Sequence, residues 1–135
     1  MDEMEVTFPG GARVDASFGD FVVKTDQPPQ GGGDGSAPKP FDLFLASIAT
    51  CAGIYIVSFC RQRHIPTENI RLVQRTQRDP ETHMVTSINL DVYLPPEFPT
   101  RYVQAVIRTA SLCSVKKHLA NPPEIHIEPR MATPE

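Results

Sequence analysis

Three short strand-like segments follow one another along the first 25 positions of the chain; apolar and polar residues alternate in the first two, and the third is a short apolar run. These segments, at 4–8, 12–17 and 21–23, are separated by the turn-forming sequences Pro9-Gly10-Gly11 and Gly19-Asp20. Alternation with a period of two places successive side chains on opposite faces of a strand. The pattern therefore predicts a meander of three strands.

A run of 18 residues without a formal charge, from Leu43 to Cys60, lies farther along the chain. Such a run is long enough to cross a membrane, although its Ser, Thr and Gly residues dilute its hydrophobicity. A core helix that is covered on every side has the same appearance. The strand-like segments around it favour the core helix, which we expect to begin near Pro40 and to end before Pro66. Because 135 residues can hardly cover such a helix unaided, the pattern indicates an obligate homodimer.

The pattern after this helix predicts two strands, a second helix and a last strand. The strands are expected at 69–78 and 83–94, and the helix at 100–119, where apolar residues recur every three or four positions. Ile125 and Ile127 alternate with polar neighbours and predict a short final strand. The predicted order is βββ-α-ββ-α-β, an α+β fold with two long helices and antiparallel strands.

Length and composition narrow the class of protein. A chain of 135 residues fits one domain, expected to cover 1–135. The net charge is −3 and the 13 Lys and Arg are scattered, so no cationic face for nucleic acid is indicated. The acidic start lacks the basic and apolar stretches of a signal peptide, and we expect a cytoplasmic location.

The segment 26–40 is rich in glycine and proline and is expected to form no regular structure. It lacks the Gly-Lys-Ser/Thr sequence of a phosphate-binding loop. Two interpretations remain open, a disordered linker or an ordered loop that covers a site.

Three cysteines, Cys51, Cys60 and Cys113, are the main candidates for chemistry in a reducing compartment. Cys51 and Cys60 lie on the same predicted helix, where their spacing separates them by roughly 13 Å and places them on opposite faces. A disulfide needs Cα atoms within about 7 Å, so these two cannot pair. Cys113 is the only intrachain partner left for either of them. Thiols that serve only in packing are the alternative to a functional Cys51–Cys113 pair.

Two segments around these cysteines resemble the OsmC/Ohr family, the osmotically inducible and organic hydroperoxide resistance proteins, and its OsmC-like branch in particular. PFDLFLASIATC, at 40–51, is similar to the family segment in which a Pro-x-acidic-Leu stretch leads to the reactive cysteine. LCSVKKHL, at 112–119, is similar to the Cys-Ser/Pro-Val stretch that bears the second cysteine. The strand-first layout and the glycine-rich loop also agree, so the likeness covers nearly the whole chain.

The resemblance implies an intertwined homodimer that reduces organic hydroperoxides. Cys51 would attack the peroxide O–O bond and become a sulfenic acid, Cys113 would condense with it to a disulfide, and an external dithiol would reduce the pair. We expect no cofactor, no metal and no membrane partner. Two other functions remain open. One is a binding protein that holds a small apolar or oxidised ligand at the dimer interface, and the other is a redox sensor.

Cys51 needs an activating cation, because the attacking species is the thiolate and the residue lies about three turns inside its helix, beyond the reach of the helix dipole. Members of the family use an arginine that a carboxylate orients. By position, the resemblance assigns these roles to Arg13 and Asp42. The chain departs from the organic-hydroperoxide branch at Ala12, where that branch has the arginine, and at Phe41, where it has a glutamate.

Overall fold

The computed structural model describes residues 2–133 as two compact units. The boundary between the units falls at Thr50 and Cys51, inside the long helix. Each unit has its own internal contacts. The prediction of one domain over 1–135 stays a prediction.

The first unit contains an antiparallel sheet of three strands in the order β1-β2-β3. The strands are β1 (Glu5–Gly10), β2 (Arg13–Phe18) and β3 (Phe21–Thr25). Ala16 in the central strand lies opposite Val6 on one side and Val23 on the other. Gly11 and Gly19 occupy the connecting turns with φ of 59° and 55°, a conformation that glycine adopts without steric cost. The predicted meander is confirmed.

The glycine-rich segment that follows is an ordered loop closed around the carboxylate of Asp26, which is 1% exposed. The backbone N–H of Gln27 donates to Oδ1 at 2.7 Å, and the backbone N–H of Ser36 donates to Oδ2 at 3.0 Å. The Asp26 N–H donates to the Pro38 carbonyl at 3.1 Å. A methyl group at Gly33 would overlap the Gln27 carbonyl, so only glycine fits there. The segment is therefore an ordered loop and not a disordered linker, while the expectation that it covers a site stays a prediction.

The loop should loosen in acid. Hydrogen bonds from the side chain of Ser36, from its backbone and from Gln27 hold the pKa of Asp26 at about 2, below its usual 3.8. A carboxyl group whose pKa is lower in the folded state stabilises the fold above its unfolded pKa, and that stabilisation is lost as the pH falls through the folded value. We therefore expect amide protection of Gln27 and Ser36, corrected for intrinsic exchange, to fall between about pH 4 and pH 2.

Asp26→Asn is the control for this pH dependence. The amide is uncharged, and its NH2 group cannot accept the hydrogen bonds that the carboxylate accepts. The variant should show weak protection of both amides at neutral pH and little further change in acid. Protection in the wild-type protein that persists at pH 2 would contradict the role given to Asp26.

Helix α1 (Pro40–Gln62) follows the loop and crosses from the first unit into the second. One face is buried and includes Ile48, Ala52 and Ile56, which recur every four residues. Other positions are open, and Ile54 is 55% exposed. The helix is long and apolar enough to cross a membrane, a property that the core helix of a soluble protein shares. The predicted helix is confirmed, and in the single chain part of its apolar surface is uncovered.

The second unit is built on an antiparallel hairpin of two strands, β4 (Arg71–Arg78) and β5 (Val85–Tyr93). Leu72 lies opposite Val92 in this hairpin, and both pack against the core. The core itself contains five buried residues, namely Ile56, Phe59, Cys60, Phe98 and Val106. The C-terminal half of α1 thus shares one core with the hairpin and with the helix that follows.

The second predicted helix is two helices, α2 (Val103–Ala110) and α3 (Ser114–Ala120). A short 3-10 turn, Thr100–Tyr102, precedes them. The helical conformation is interrupted at Cys113, whose backbone is extended with φ of −61° and ψ of 149°. The prediction of a continuous helix over 100–119 is wrong, because the apolar period continues across the break while the Cys113 side chain caps a new helix.

The predicted last strand is also absent from the described residues, which show no strand after 120. Ile125 and Ile127 are 82% and 93% exposed in a segment without regular secondary structure. Alternation can predict an extended backbone, but a strand also needs a neighbour for its N–H and C=O groups. The prediction of a final strand is therefore wrong for the single chain, and the observed order is βββ-α-ββ-α-α.

Candidate thiol site

Cys51 lies in the middle of helix α1 as a free, partly exposed thiol. Ile54, one turn later, is 55% exposed. The local surface around Cys51 is thus accessible and apolar in the single chain.

Cys113 is a free thiol with different surroundings. It is 2% exposed, and its Sγ accepts a hydrogen bond from the backbone N–H of Lys116 at 3.4 Å. This is the position and the role of an N-cap side chain, which satisfies one of the open donors in the first turn of a helix. Sequence reasoning missed this role, because cysteine is not among the preferred N-cap residues.

Cys60 is fully buried in the core of the second unit. Burial raises the pKa of its thiol, and the charge of Arg63 offsets only part of that rise. A protonated thiol without access to solvent is a poor nucleophile. Cys60 therefore serves in packing.

Arg13 and Asp42, the predicted activating pair, have other partners in the structure. Arg13 Nε donates to the carbonyl of Gly10 at 3.3 Å in the turn between β1 and β2. Asp42, in the first turn of α1, lies 4.0 Å from the ammonium group of Lys39. Among the described residues the two side chains do not pair with each other. Their assignment to the activation of Cys51 stays a prediction.

Serine and alanine at position 113 should separate the capping of α3 by Cys113 from its predicted role in a disulfide. Serine is a preferred N-cap residue, so Cys113→Ser should keep α3 capped, whereas Cys113→Ala should lower the free energy of unfolding by about 0.5–2 kcal/mol. Neither variant can form a disulfide. Chemical denaturation measures the difference, and equal stability of the two variants would contradict the capping role.

The elements and the thiols together define a class of protein, an α+β chain that carries one accessible thiol on a long helix and one buried thiol at the start of a later helix. A family model described as OsmC-like protein matches residues 33–128. The chain belongs to the OsmC-like family. This match confirms the resemblance seen around the two cysteines.

The chain is also similar to solved structures of bacterial proteins. A protein from Psychrobacter arcticus 273-4, provisionally described as an osmotic stress induced and detoxification response protein, is 24% identical over 87% of each chain, with a TM-score of 0.73. An OsmC like protein from Mycoplasma pneumoniae is 13% identical over 90% of this chain and 89% of that chain, with a TM-score of 0.69. An organic hydroperoxide resistance protein OsmC from Legionella pneumophila is 19% identical over 88% of each chain, with a TM-score of 0.53.

Identities this low establish the fold alone. They confirm the predicted α+β fold of the OsmC/Ohr type, with its two antiparallel sheets. A comparison with curated proteins found no match.

Proposed function

We propose that the protein is a thiol-dependent peroxidase for organic hydroperoxides, with Cys51 as the reacting residue. The observation that carries the proposal is the accessible thiol of Cys51 within the segment that resembles the reactive-cysteine segment of the family. Membership of the OsmC-like family supports a role in redox chemistry and peroxide stress. Solved relatives described as organic hydroperoxide resistance proteins, from Legionella pneumophila and Vibrio cholerae, support the substrate class.

The proposed cycle has three steps. The Cys51 thiolate attacks the O–O bond, takes one oxygen as a sulfenic acid and releases the alcohol after that leaving group gains a proton. The Cys113 thiol then condenses with the sulfenic acid, which forms the disulfide and releases water. An external dithiol supplies two electrons and two protons, and restores both thiols through exchange.

The surroundings of Cys51 favour an organic hydroperoxide over hydrogen peroxide. Ile54 lies on the same helix face, three residues later, and is 55% exposed. An alkyl or aryl group that covers this surface removes apolar area from water, whereas hydrogen peroxide has no such group. The proposal therefore includes a lower KM for cumene hydroperoxide than for hydrogen peroxide.

The disulfide step requires movement at the start of α3. Cys113 is 2% exposed and its Sγ is engaged with the Lys116 N–H, so the cap must open before the sulfur can reach Cys51. This helix has only seven residues, Ser114–Ala120, and a helix of that length has little stability by itself. Opening of α3 on oxidation would accordingly be local, with the core residues unaffected.

Peptide mapping after one equivalent of cumene hydroperoxide tests the cycle. We expect a Cys51–Cys113 disulfide in the wild-type protein and a sulfenic acid at Cys51, trapped by dimedone, in Cys113→Ser. Cys60 should stay a free thiol in both. Thiols that all survive the treatment would overturn the peroxidase and would favour a binding protein on the same fold.

We further propose that the protein acts as a homodimer in the cytoplasm, where its three free thiols are stable. Large apolar side chains are exposed on the sheet, on α1 and on the C-terminal segment, among them Phe8, Phe21, Ile54, Ile125 and Ile127. Contiguous exposed apolar patches are typical of association surfaces, and a dimer would cover side chains of this kind. A second copy would offer the C-terminal segment the strand neighbour that it lacks in one chain.

The dimer has a test of its own. Multi-angle light scattering should give twice the chain mass of 15.0 kDa for the wild-type protein. Ile127→Asp changes a side chain that is 93% exposed in the single chain, so it should leave the monomer fold intact and weaken association at least tenfold. His126→Asp is the matched control and should stay dimeric, because in a strand formed by this segment the side chain of residue 126 would point away from that of Ile127. Dimers of equal stability in both variants would exclude this segment from the interface.

A further inference from the structure

A cleft of about 230 Å³ lies at the C-terminal end of α1, entirely within the second unit. Ile65, Phe98 and three prolines supply its apolar lining, and four polar side chains complete it, namely Arg63, His64, Asn69 and Glu97. An apolar cavity with a few convergent polar groups is the usual form of a small-molecule site. None of these residues takes part in the proposed chemistry of Cys51 and Cys113.

The floor of the cleft is rigid. Phe98 is 6% exposed and forms part of the core of the second unit. Its backbone N–H donates to the Pro95 carbonyl at 3.0 Å, which closes the turn that carries it. Pro95 and Pro99 restrict the backbone on either side of this turn. The apolar surface is therefore preformed, and a ligand would lose little affinity to ordering it.

The guanidinium group of Arg63 is held in place at the cleft without a carboxylate partner. It lies over the Phe59 ring, 3.7 Å from the centroid, and Nη1 donates to the Phe59 carbonyl at 3.0 Å. In the part of the chain that the structure describes, no carboxylate lies within ion-pair distance of Arg63. A guanidinium group positioned in this way is well suited to a carboxylate ligand.

His64 occupies a backbone position that normally favours glycine. Its φ is 56°, and the Ile65 N–H donates to the Cys60 carbonyl at 2.9 Å while the His64 N–H donates to the Arg61 carbonyl at 3.3 Å. These two bonds form the Schellman motif that ends α1, with His64 at the left-handed position. A non-glycine residue there carries a steric cost of about 1 kcal/mol. This residue is one of those that line the cleft.

Glu97 gives the cleft a second charge of opposite sign. In residues 2–133 its carboxylate has no hydrogen-bond or ion-pair partner, and it lines the same cavity as Arg63. A ligand with a single negative charge would leave Glu97 unpaired, and a dicarboxylate would be repelled by it. A zwitterion with an apolar body would pair with both charges and cover the apolar surface of Phe98.

We propose that this cleft binds a free α-amino acid with an apolar side chain of about the size of leucine. Its carboxylate pairs with Arg63, its ammonium group pairs with Glu97, and its side chain lies on Phe98. The volume of the cleft corresponds to roughly eight water molecules, which limits the ligand to this size. The proposal does not rest on the peroxidase function.

Titration of the isotope-labelled full chain with three probes tests the ligand class by amide chemical shifts. Leucine should produce saturable shifts at Arg63, His64, Asn69 and Glu97, with a Kd in the millimolar range or below. The analogue 4-methylpentanoate, which lacks the ammonium group, and isopentylamine, which lacks the carboxylate, should each bind at least tenfold more weakly. If leucine at about ten times a millimolar Kd, that is about 10 mM, produced no saturable shifts, the proposal would be overturned.

Two variants and a matched control test the residues. Arg63→Gln should weaken leucine binding at least tenfold. Arg61→Gln removes the same charge at a residue that does not line the cleft, so it should leave leucine binding unchanged. Glu97→Gln changes an exposed side chain, so it should fold normally and should bind leucine and 4-methylpentanoate equally. Equal losses from Arg61→Gln and Arg63→Gln, or a retained preference for leucine in Glu97→Gln, would refute the site.

Discussion

Cys51→Ser is expected to abolish the consumption of cumene hydroperoxide by the protein in the presence of excess dithiothreitol. The serine hydroxyl does not ionise near neutral pH, and unlike a thiolate it cannot take up the peroxide oxygen as a sulfenic acid. Cys51 is partly exposed, so the substitution should leave the free energy of unfolding almost unchanged. Loss of residual hydroperoxide over time, corrected for the dithiol alone, measures the effect.

Cys60→Ala is the matched control, because it removes a thiol from the same helix. Cys60 is fully buried, so the variant should lose some stability through the small cavity, yet it should keep its peroxidase activity. Cys113→Ser should perform one turnover and then depend on direct reduction of the sulfenic acid. Multiple turnovers by Cys51→Ser at the wild-type rate would refute the proposed mechanism, whichever fold the protein has.

Ile56→Ala should lower the free energy of unfolding more than the substitution of any single cysteine. Ile56 is 2% exposed and lies in the core of the second unit with Phe59 and Val106. Removal of three buried carbon atoms costs the transfer free energy of those atoms and leaves a cavity, together about 2–5 kcal/mol for Ile→Ala. Chemical denaturation should show this loss as a lower midpoint with a similar slope.

Ile107→Ala is the control for that loss, since it makes the same chemical change in a helix at a position that is 39% exposed. It should cost less than about 1 kcal/mol, because much of the side chain already contacts water. If the two variants lost the same free energy, the core would not be centred on α1 as the structure indicates.

The sequence predicted the first sheet and the long helix well, because each has a strong local cause. The glycines at positions 11 and 19 permit tight turns between alternating segments, and Pro40 suits the first turn of a helix. The hairpin of β4 and β5 also follows from alternation, with Leu72 and Val92 on the core side. Local rules of this kind need no knowledge of distant residues.

The failures of sequence reasoning share a different cause. The apolar period of the second helix continues through Cys113, but the side chain there accepts the Lys116 N–H and begins a new helix. Ile125 and Ile127 alternate like a strand, but no neighbouring strand is available to them among the described residues of the single chain. In both cases the outcome depends on where a hydrogen-bonding group finds its partner, and periodicity does not contain that information.

The sequence by itself determined the α+β class through local patterns and the family through two segments that resemble OsmC-like proteins, and it predicted Cys51 as the reacting residue. Only the tertiary structure separated the three thiols into an accessible one, a capping one and a packing one, because exposure depends on what the rest of the chain covers. It also decided that the glycine-rich segment is an ordered loop around Asp26, and that Arg63 lies stacked on Phe59 beside a cleft. Exposure and hydrogen-bond partners depend on where the folded chain places its groups, which is why they appear only after folding.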